Sequence, residues 1–333
     1  MQPVIDVVGI GNAIVDVISS VPESFITQHD LKKGGMTLID AERSAELYSA
    51  MPAGIQTSGG SVANTMVGVA SFGGKAAYMG KVQSDRLGKI FAHDIRSTGV
   101  IFDSPYAASG PPTARCLIQV TPDAERTMNT YLGISACLCP SDIDTDTIAA
   151  ARITYCEGYL WSNVEAKEAI RTAIAATKDA NRIVSMTLSD SFVVKQHRSE
   201  WLNLIADNVD VLFANEDEVY ALTLADDLND VCKQIADMTH IGVITRGPKG
   251  SLVVTGKNIE EIPAVAVPKV VDLTGAGDLY AAGFLWGLCS EAPLRRCAEL
   301  ATLAASEVIS HTGARPLIPL SQLLPEEDNH LSV

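Results

Sequence analysis

The sequence predicts a layered α/β fold, a parallel sheet flanked by helices, with a second and smaller sheet set apart from it. Three observations carry this prediction. From about residue 142 onward, short apolar runs at 153–158, 182–187, 211–214 and 241–245 alternate with helical stretches at 165–179, 198–208 and 230–237. That rhythm is the one parallel strands joined by helices require. The run VIDVVGI over 4–10 is nearly all apolar, as a strand buried on both faces is. Finally, the segments ARCLIQV (114–120) and RTMNTY (126–131) meet across a turn with no helix between them, so they belong to a different sheet.

Taken in order, the first strand ends in Gly9-Ile10-Gly11-Asn12. This is not a dinucleotide fingerprint, because the third glycine is missing and residues 13–19 (AIVDVIS) continue as a second strand rather than a Gly-rich helix start. Asp16 is a charge inside that apolar run. It is either the solvated face of a strand or a carboxylate pointing across a cleft, accepting hydrogen bonds from vicinal hydroxyls. Residues 24–38 are polar and turn-rich, and a short strand is expected at 36–39 and a helix at 41–48. QTSGG (56–60) then leads into a helix starting near Ser61. Gly60 permits close approach of a ligand, and Asn64, on the first turn, offers both a donor and an acceptor to a sugar hydroxyl. A strand at 76–80 and a helix at 85–99, with Leu87, Ile90, Phe91 and Ile95 on one face, follow. The segments 13–19, 36–39, 114–120 and 126–131 together form the small sheet, a lid that would exclude water from a reaction. Arg126 at its hairpin is an ordinary turn arginine or, on closure, a ligand for a transferred phosphate.

In open α/β sheets ligands bind beyond the carboxyl ends of the strands. Asn215-Glu216-Asp217-Glu218 stands there, after the strand 211–214. Asn215 and Glu218 share one helix face and suit Mg²⁺ held through water, although an acidic helix start needs no metal. Thr245-Arg246-Gly247-Pro248-Lys249-Gly250 follows the next strand as a nucleotide-phosphate loop or as a plain tight turn. An apolar-striped helix at 294–309 runs into His311, which lines an adenine pocket or simply ends the helix, before Gly313 and Pro316 stop it.

The stretch VDLTGAGDLYAAGF (271–284) is where chemistry concentrates. A helix opening at Gly275-Ala276-Gly277 leaves its first N–H groups unpaired, a nest for a group gaining negative charge. Asp278 beside it is placed to take a proton from an alcohol that attacks a phosphoryl group.

Composition narrows the function. A formal charge of -15 and a pI near 4.8, with no basic block, weigh against nucleic-acid binding. The seven cysteines are scattered, and Cys137-Leu-Cys139 has the wrong spacing for a metal or redox pair, which points to reduced thiols in the cytoplasm. Neither a signal peptide nor a membrane span is expected.

With these residues in view, the chain resembles the ribokinase-like (PfkB) carbohydrate and nucleoside kinases over nearly its full length, and among them is most similar to adenosine kinases. The likeness rests on GNAIVD (11–16), GGSVAN (59–64), GKVQSDRLG (80–88), TARCLIQVTPDAERTMNTYLG (113–133), NEDE (215–218), TRGPKG (245–250), DLTGAGD (272–278) and HTGARP (311–316). One departure is Leu273, where the family usually has threonine directly after the first aspartate; Thr274 follows one place later.

The resemblance implies a Rossmann-like three-layer α/β/α core from 1–12, 41–112 and 132–333, with a discontinuous β-sheet lid from 13–40 and 113–131. It implies transfer of the γ-phosphoryl of MgATP to the 5′-hydroxyl of adenosine, giving AMP and ADP, or, as the alternative, to a sugar such as fructose, ribose or a keto-sugar acid. By carry-over, Asp278 is the base and Gly275, Ala276 and Gly277 form the anion hole. Asn12, Asp16, Gly60 and Asn64 bind the acceptor. Thr245, Gly247, Gly250, Thr274, His311 and Arg126 lie near ATP, and Asn215 and Glu218 organise Mg²⁺. Relatives also use K⁺ near the loop after the last core helix. A monomer or homodimer is compatible with the family.

Overall fold

The computed structural model describes residues 4–123 and 125–325. The first strands are β1 (Ile5–Ile10), β2 (Ile14–Ser20), β3 (Met36–Leu38), β4 (Ile55–Gly59), β5 (Ala76–Met79), β6 (Ala114–Val120) and β7 (Arg126–Tyr131). Then come β8 (Ala151–Glu157), β9 (Ile183–Thr187), β10 (Val211–Asn215), β11 (Ile241–Thr245), β12 (Ser251–Thr255) and β13 (Asn258–Ile262). Eight of these form one sheet in the order β13-β12-β11-β10-β9-β8-β1-β5. Its members from β11 to β5 pair in parallel, and β12 and β13 close one edge antiparallel.

The apolar runs read from the sequence are buried on both faces of this sheet. Along β10, Val211 and Phe213 enter one core while Leu212 and Ala214 enter the other, and Val243 and Ile244 divide in the same way on β11. One core is completed by the helices Ser61–Ser71, Ala276–Cys289 and Leu294–Val308. The other is completed by Val164–Asp179, Arg198–Asn208 and Leu228–Met238. Alternating sides along a strand is the period-two pattern of the pleat, and helices on both sides explain why no polar alternation shows in the sequence. Phe284 on the central helix is wholly buried, with its ring edge-on to Phe213 at 5.5 Å. Truncating such a side chain to alanine costs about 3–5 kcal/mol, so the helix that begins at Gly275-Ala276-Gly277 is anchored hard against the sheet. This is the α/β/α layering expected of a ribokinase-like fold.

The remaining five strands form a second sheet in the order β3-β7-β6-β2-β4. It contains the four segments expected in it and one more. β4 pairs antiparallel with β2, Ile14 opposite Gly59 and Asp16 opposite Thr57. The sequence reading placed this segment with the core as a lead-in to the next helix. IQTSG carries a single large apolar residue, Ile55, which is exposed, so no alternation marks it as a strand; pairing with β2 alone makes it one. A short helix, Glu23–Gln28, also forms inside the turn-rich stretch because Phe25 and Ile26 find a buried side.

Candidate active site

The central helix begins at Gly275, whose φ is +81°, and a Cβ there would lie 2.7 Å from the backbone of Ala314. Glycine is therefore required twice over, for the left-handed backbone and for the close approach. No side chain caps this helix, and the N–H groups of Gly277 and Asp278 meet no protein partner among the described residues. Gly277 opens on free space, since an added Cβ would touch nothing within 4 Å. Two unpaired donors at a helix start make an anion hole of fixed geometry.

Asp278 stands in the first turn. Its carboxylate accepts hydrogen bonds from Ser61 Oγ at 2.7 Å and from Asn64 Nδ2 at 3.1 Å. Both donors come from the start of the Ser61–Ser71 helix, which Gly60 opens at φ +99°. Burial raises the Asp278 pKa above the usual carboxylate range, and the two hydrogen bonds oppose that rise. The group is thus held as a carboxylate of increased basicity, which suits a proton acceptor.

Asp16 faces the same cavity from β2. Burial pushes its pKa up to about 6, the guanidinium groups of Arg315 and Arg126 pull it down, and Asp278 pushes it up again. It accepts no hydrogen bond from the protein among the described residues, so its oxygens are free for hydroxyls of a ligand. The cavity holds about 450 Å³ and spans the carboxyl ends of the strands, with Tyr155, Thr187, Asn215 and Thr245 along its floor. Gly60, Ser61, Asn64, Thr274, Gly275 and Gly277 line it beside the two aspartates. Overhead the second sheet contributes Ile14, Met36, Cys116, Ile118 and Met128, a mainly apolar ceiling in which Thr130 supplies one hydroxyl. A more open cleft of about 570 Å³ lies between Gln56 and the Arg86–Ser97 helix, but neither Asp278 nor the glycine turn reaches it.

Asn215 and Glu218 form a reciprocal capping box: Asn215 Oδ1 accepts from Glu218 N at 2.9 Å, and Glu218 accepts from Asn215 N and Nδ2 at 3.1 and 2.8 Å. Glu218 is buried in the cavity wall, and burial raises its pKa to about 7, with Asp190 and Asp217 adding to the rise. No basic side chain forms an ion pair with it among the described residues, although its neighbour Glu216 is paired with Arg246 and Lys249. A buried carboxylate among carboxylates, without a cation, fits a hydrated divalent ion on its cavity side.

The structure scatters the other expected residues. Asn12 is buried away from the cavity lining, its Nδ2 donating to Glu157 at 2.6 Å and its Oδ1 accepting from Ser135 at 3.0 Å. Arg126 is ion-paired with Asp272. His311 contacts Glu307 on the last helix at 3.2 Å and is not part of the lining. Gly247 and Gly250 also lie outside it; at Gly250 a Cβ would strike the Ile262 carbonyl, so hairpin packing accounts for this glycine. The reading missed Ser61, a neighbour of Gly60 that holds Asp278, and the apolar ceiling, whose residues sit in ordinary strand sequence.

Residues 30–320 match the pfkB family carbohydrate kinases. The chain belongs to that family. An adenosine kinase from Sinorhizobium meliloti is similar to it at 46% identity, covering 96% of this chain and 98% of that one, with a TM-score of 0.88. A probable sugar kinase from Rhizobium etli CFN 42 is similar at 44% identity, over 97% and 98% of the two chains, with a TM-score of 0.89. Probable fructokinase-6, chloroplastic, of Arabidopsis thaliana shares 29% identity over 88% of this chain and 77% of that protein. As a pfkB family kinase the chain is an ATP-dependent phosphotransferase acting on a hydroxyl of a small molecule. Dependence on ATP and Mg²⁺ is typical of the family. No helix among the described residues is long and apolar enough to cross a membrane.

Proposed function

We propose that this kinase phosphorylates the 5′-hydroxyl of a purine nucleoside, adenosine in the first place, giving AMP and ADP. The observation that carries this reading is the apolar ceiling of Ile14, Met36, Cys116, Ile118 and Met128 over the free carboxylate of Asp16. A flat base gains by burial against such a wall, at about 25 cal/mol per Å² of apolar surface covered, whereas a monosaccharide would leave hydroxyls facing groups that cannot bond them. Likeness to an adenosine kinase and to a probable sugar kinase at nearly equal identity does not choose between the acceptors; the wall supports the nucleoside.

In this reading Asp16 accepts the ribose hydroxyls, and Asp278 orients the 5′-hydroxyl and takes its proton as the new O–P bond forms. The N–H groups of Gly277 and Asp278, with Gly275 and Ala276 shaping the turn, meet the charge on the transferred phosphoryl oxygens. Thr245 and Thr274 flank the phosphate path. Asn215 and Glu218 would hold Mg²⁺ through its waters, and the ion would supply neutralisation of phosphate charge. The segments 13–40 and 113–131, joined by β4, act as the lid that keeps water from Asp278. For K⁺, Asp272 is an unfavourable ligand: Arg126, Gly313 N and Thr274 N already satisfy its carboxylate.

The test is an ATP-consumption screen across adenosine, inosine, guanosine, fructose and ribose, with the product phosphate located by NMR. The reading expects adenosine to lead and the phosphate to sit on the 5′-oxygen. Efficient turnover of fructose or ribose with adenosine inert would replace it with the sugar-kinase alternative.

A further inference from the structure

We propose that Arg315 is a positioning residue for the acceptor site, fixing which way the Asn64 amide faces and holding the second sheet over it. The inference rests on the active-site reading above and concerns a residue to which that reading gives no part. Arg315 lies in the loop after the last long helix, and its side chain is 18% exposed. Its guanidinium reaches three separate elements. Nη1 donates to Asp94 Oδ2 at 2.9 Å, on the Arg86–Ser97 helix. Nη2 donates to Ser58 Oγ at 2.7 Å, on β4 of the second sheet. Nε donates to Asn64 Oδ1 at 3.4 Å, on the helix that Gly60 opens. Asp94 also accepts from Ser58 N and Oγ at 2.7 and 2.6 Å, so the three elements form one polar knot.

The chemistry of the fork sets the direction of the chain of bonds. A guanidinium can only donate, so the Asn64 oxygen must face Arg315. The Asn64 Nδ2 is thereby turned to Asp278, where it donates at 3.1 Å. With the amide reversed, Oδ1 would face the carboxylate and the hydrogen bond would become a repulsion. The same positive charge acts on Asp16, for which Arg315 is the largest influence opposing the effect of burial. The other charged or titratable groups around Asp16 are Arg126 on β7, Asp278 on the central helix and Cys116 on β6. Both cations are ion-paired elsewhere, Arg126 with Asp272 and Arg315 with Asp94, and of the two Arg315 acts more strongly on Asp16.

The test uses whichever acceptor the wild-type enzyme phosphorylates best, so a wrong choice between nucleoside and sugar does not touch it. Arg315→Met and Arg315→Lys are compared with wild type by steady-state kinetics for acceptor and for ATP, each across pH 5.5–9. For Arg315→Met the acceptor KM rises about tenfold or more while the ATP KM stays within about twofold, the loss of roughly one charge-assisted hydrogen bond falling on one ligand. Its acid limb in acceptor kcat/KM also moves to higher pH, because Asp16 is then harder to ionise. Arg315→Lys returns the acid limb toward wild type, since the charge is kept, but not the full acceptor affinity, since one ammonium cannot serve the fork. If the methionine variant does not fold, Asp94→Asn is measured instead; it loosens the fork from one end and raises the acceptor KM in the same direction by a smaller factor. The proposal is overturned if the acceptor and ATP KM values rise in parallel, if neither changes, or if the acid limb stays in place in the methionine variant.

Discussion

Arg126 of the second sheet is ion-paired with Asp272, the first residue of the DLTGAGD segment, and both side chains are more than nine-tenths buried. This pair joins the sheet above the cavity to the loop that leads into the anion hole. Asp272 further accepts from Gly313 N at 2.9 Å and from Thr274 N at 3.0 Å. Burial alone would raise its pKa; the hydrogen bonds and the Arg126 charge overcome burial and hold it below the usual range. The Arg126→Met variant leaves that carboxylate without its counter-charge, and a loss of about 3 kcal/mol in unfolding free energy is expected. Urea unfolding at pH 7 measures it. Because the folded pKa is depressed, the stabilisation is present above the unfolded pKa and fades as the pH falls through the folded one. The difference between wild type and variant should therefore shrink in acid; a constant difference down to pH 3 would show that the ion pair is not its source.

Asp278 carries the proton transfer, and Asp278→Asn removes the acceptor while keeping the shape. The Ser61 hydroxyl still finds an oxygen to donate to. Turnover should fall by about 10²–10⁴-fold, the range for loss of a general base, with nucleotide affinity within about twofold. Steady-state rates and a fluorescent-nucleotide titration read the two effects apart. A variant retaining a third of wild-type turnover would move the proton acceptor elsewhere.

Activity should have an acid limb. Asp16 has a pKa of about 6 and Asp278 is raised by burial, and both act as carboxylates. Acceptor kcat/KM therefore falls as the pH drops through about 6, where Asp16 takes up a proton. Stability of the ligand-free protein should move the other way. Asp16, Glu157 and Glu218 all have raised pKa values, to about 6, 7 and 7, so the folded chain keeps protons that the unfolded chain releases. Between about pH 4, where model carboxylates titrate, and pH 7, unfolding free energy should decline as pH rises. Urea midpoints in that interval test the sign, and a midpoint rising toward pH 7 would contradict it.

The elements legible from sequence were those whose partners lie along the chain. The central helix announced itself through the Gly275-Ala276-Gly277 turn, and the parallel strands through their apolar runs. β4 was not legible because its strand character comes from β2, some forty residues earlier. The same distance effect hides the site's supports. Ser61 and Asn64 meet Asp278 from more than two hundred residues away. Glu157, whose carboxylate accepts from Asn12 N at 2.8 Å and Val62 N at 3.3 Å, reads in the sequence only as a charge at the end of a strand. Asn12 was expected at the substrate because it shares a motif with Asp16; it lies in the link between β1 and β2, outside the pleat that aims Asp16 at the cavity, and its side chain is taken up by Glu157 and Ser135.

Glu218 tests the metal reading through stability as well as rate. Its raised pKa means that the buried carboxylate opposes folding when it ionises. Glu218→Gln should therefore leave the metal-free protein as stable as wild type or more so at pH 8, where the wild-type group is charged. Added Mg²⁺ should stabilise wild type and lose most of that effect in the variant, following the mass-action rule for a ligand that binds only the folded state. Thermal denaturation with and without Mg²⁺ reads this without any turnover. Equal stabilisation of both proteins would place the ion on other residues.

The apolar ceiling gives the sharpest test of acceptor choice. Ile118 and Met128 stand opposite each other on β6 and β7 and both face the cavity. Replacing Ile118 by Asn puts a polar amide where a base would lie, with no partner once a ligand covers it. An unsatisfied buried polar group costs about 1–3 kcal/mol, so adenosine kcat/KM should fall by about 5- to 150-fold, mainly through KM, with kcat and the ATP KM little changed. Ile118→Val, which removes one methylene, should stay within about fivefold of wild type. A sugar acceptor held chiefly through Asp16 and Asn64 would not sense the ceiling in this way. Turnover of adenosine that is indifferent to Ile118→Asn would mean the base lies elsewhere, and the wall could no longer be the feature that selects a nucleoside.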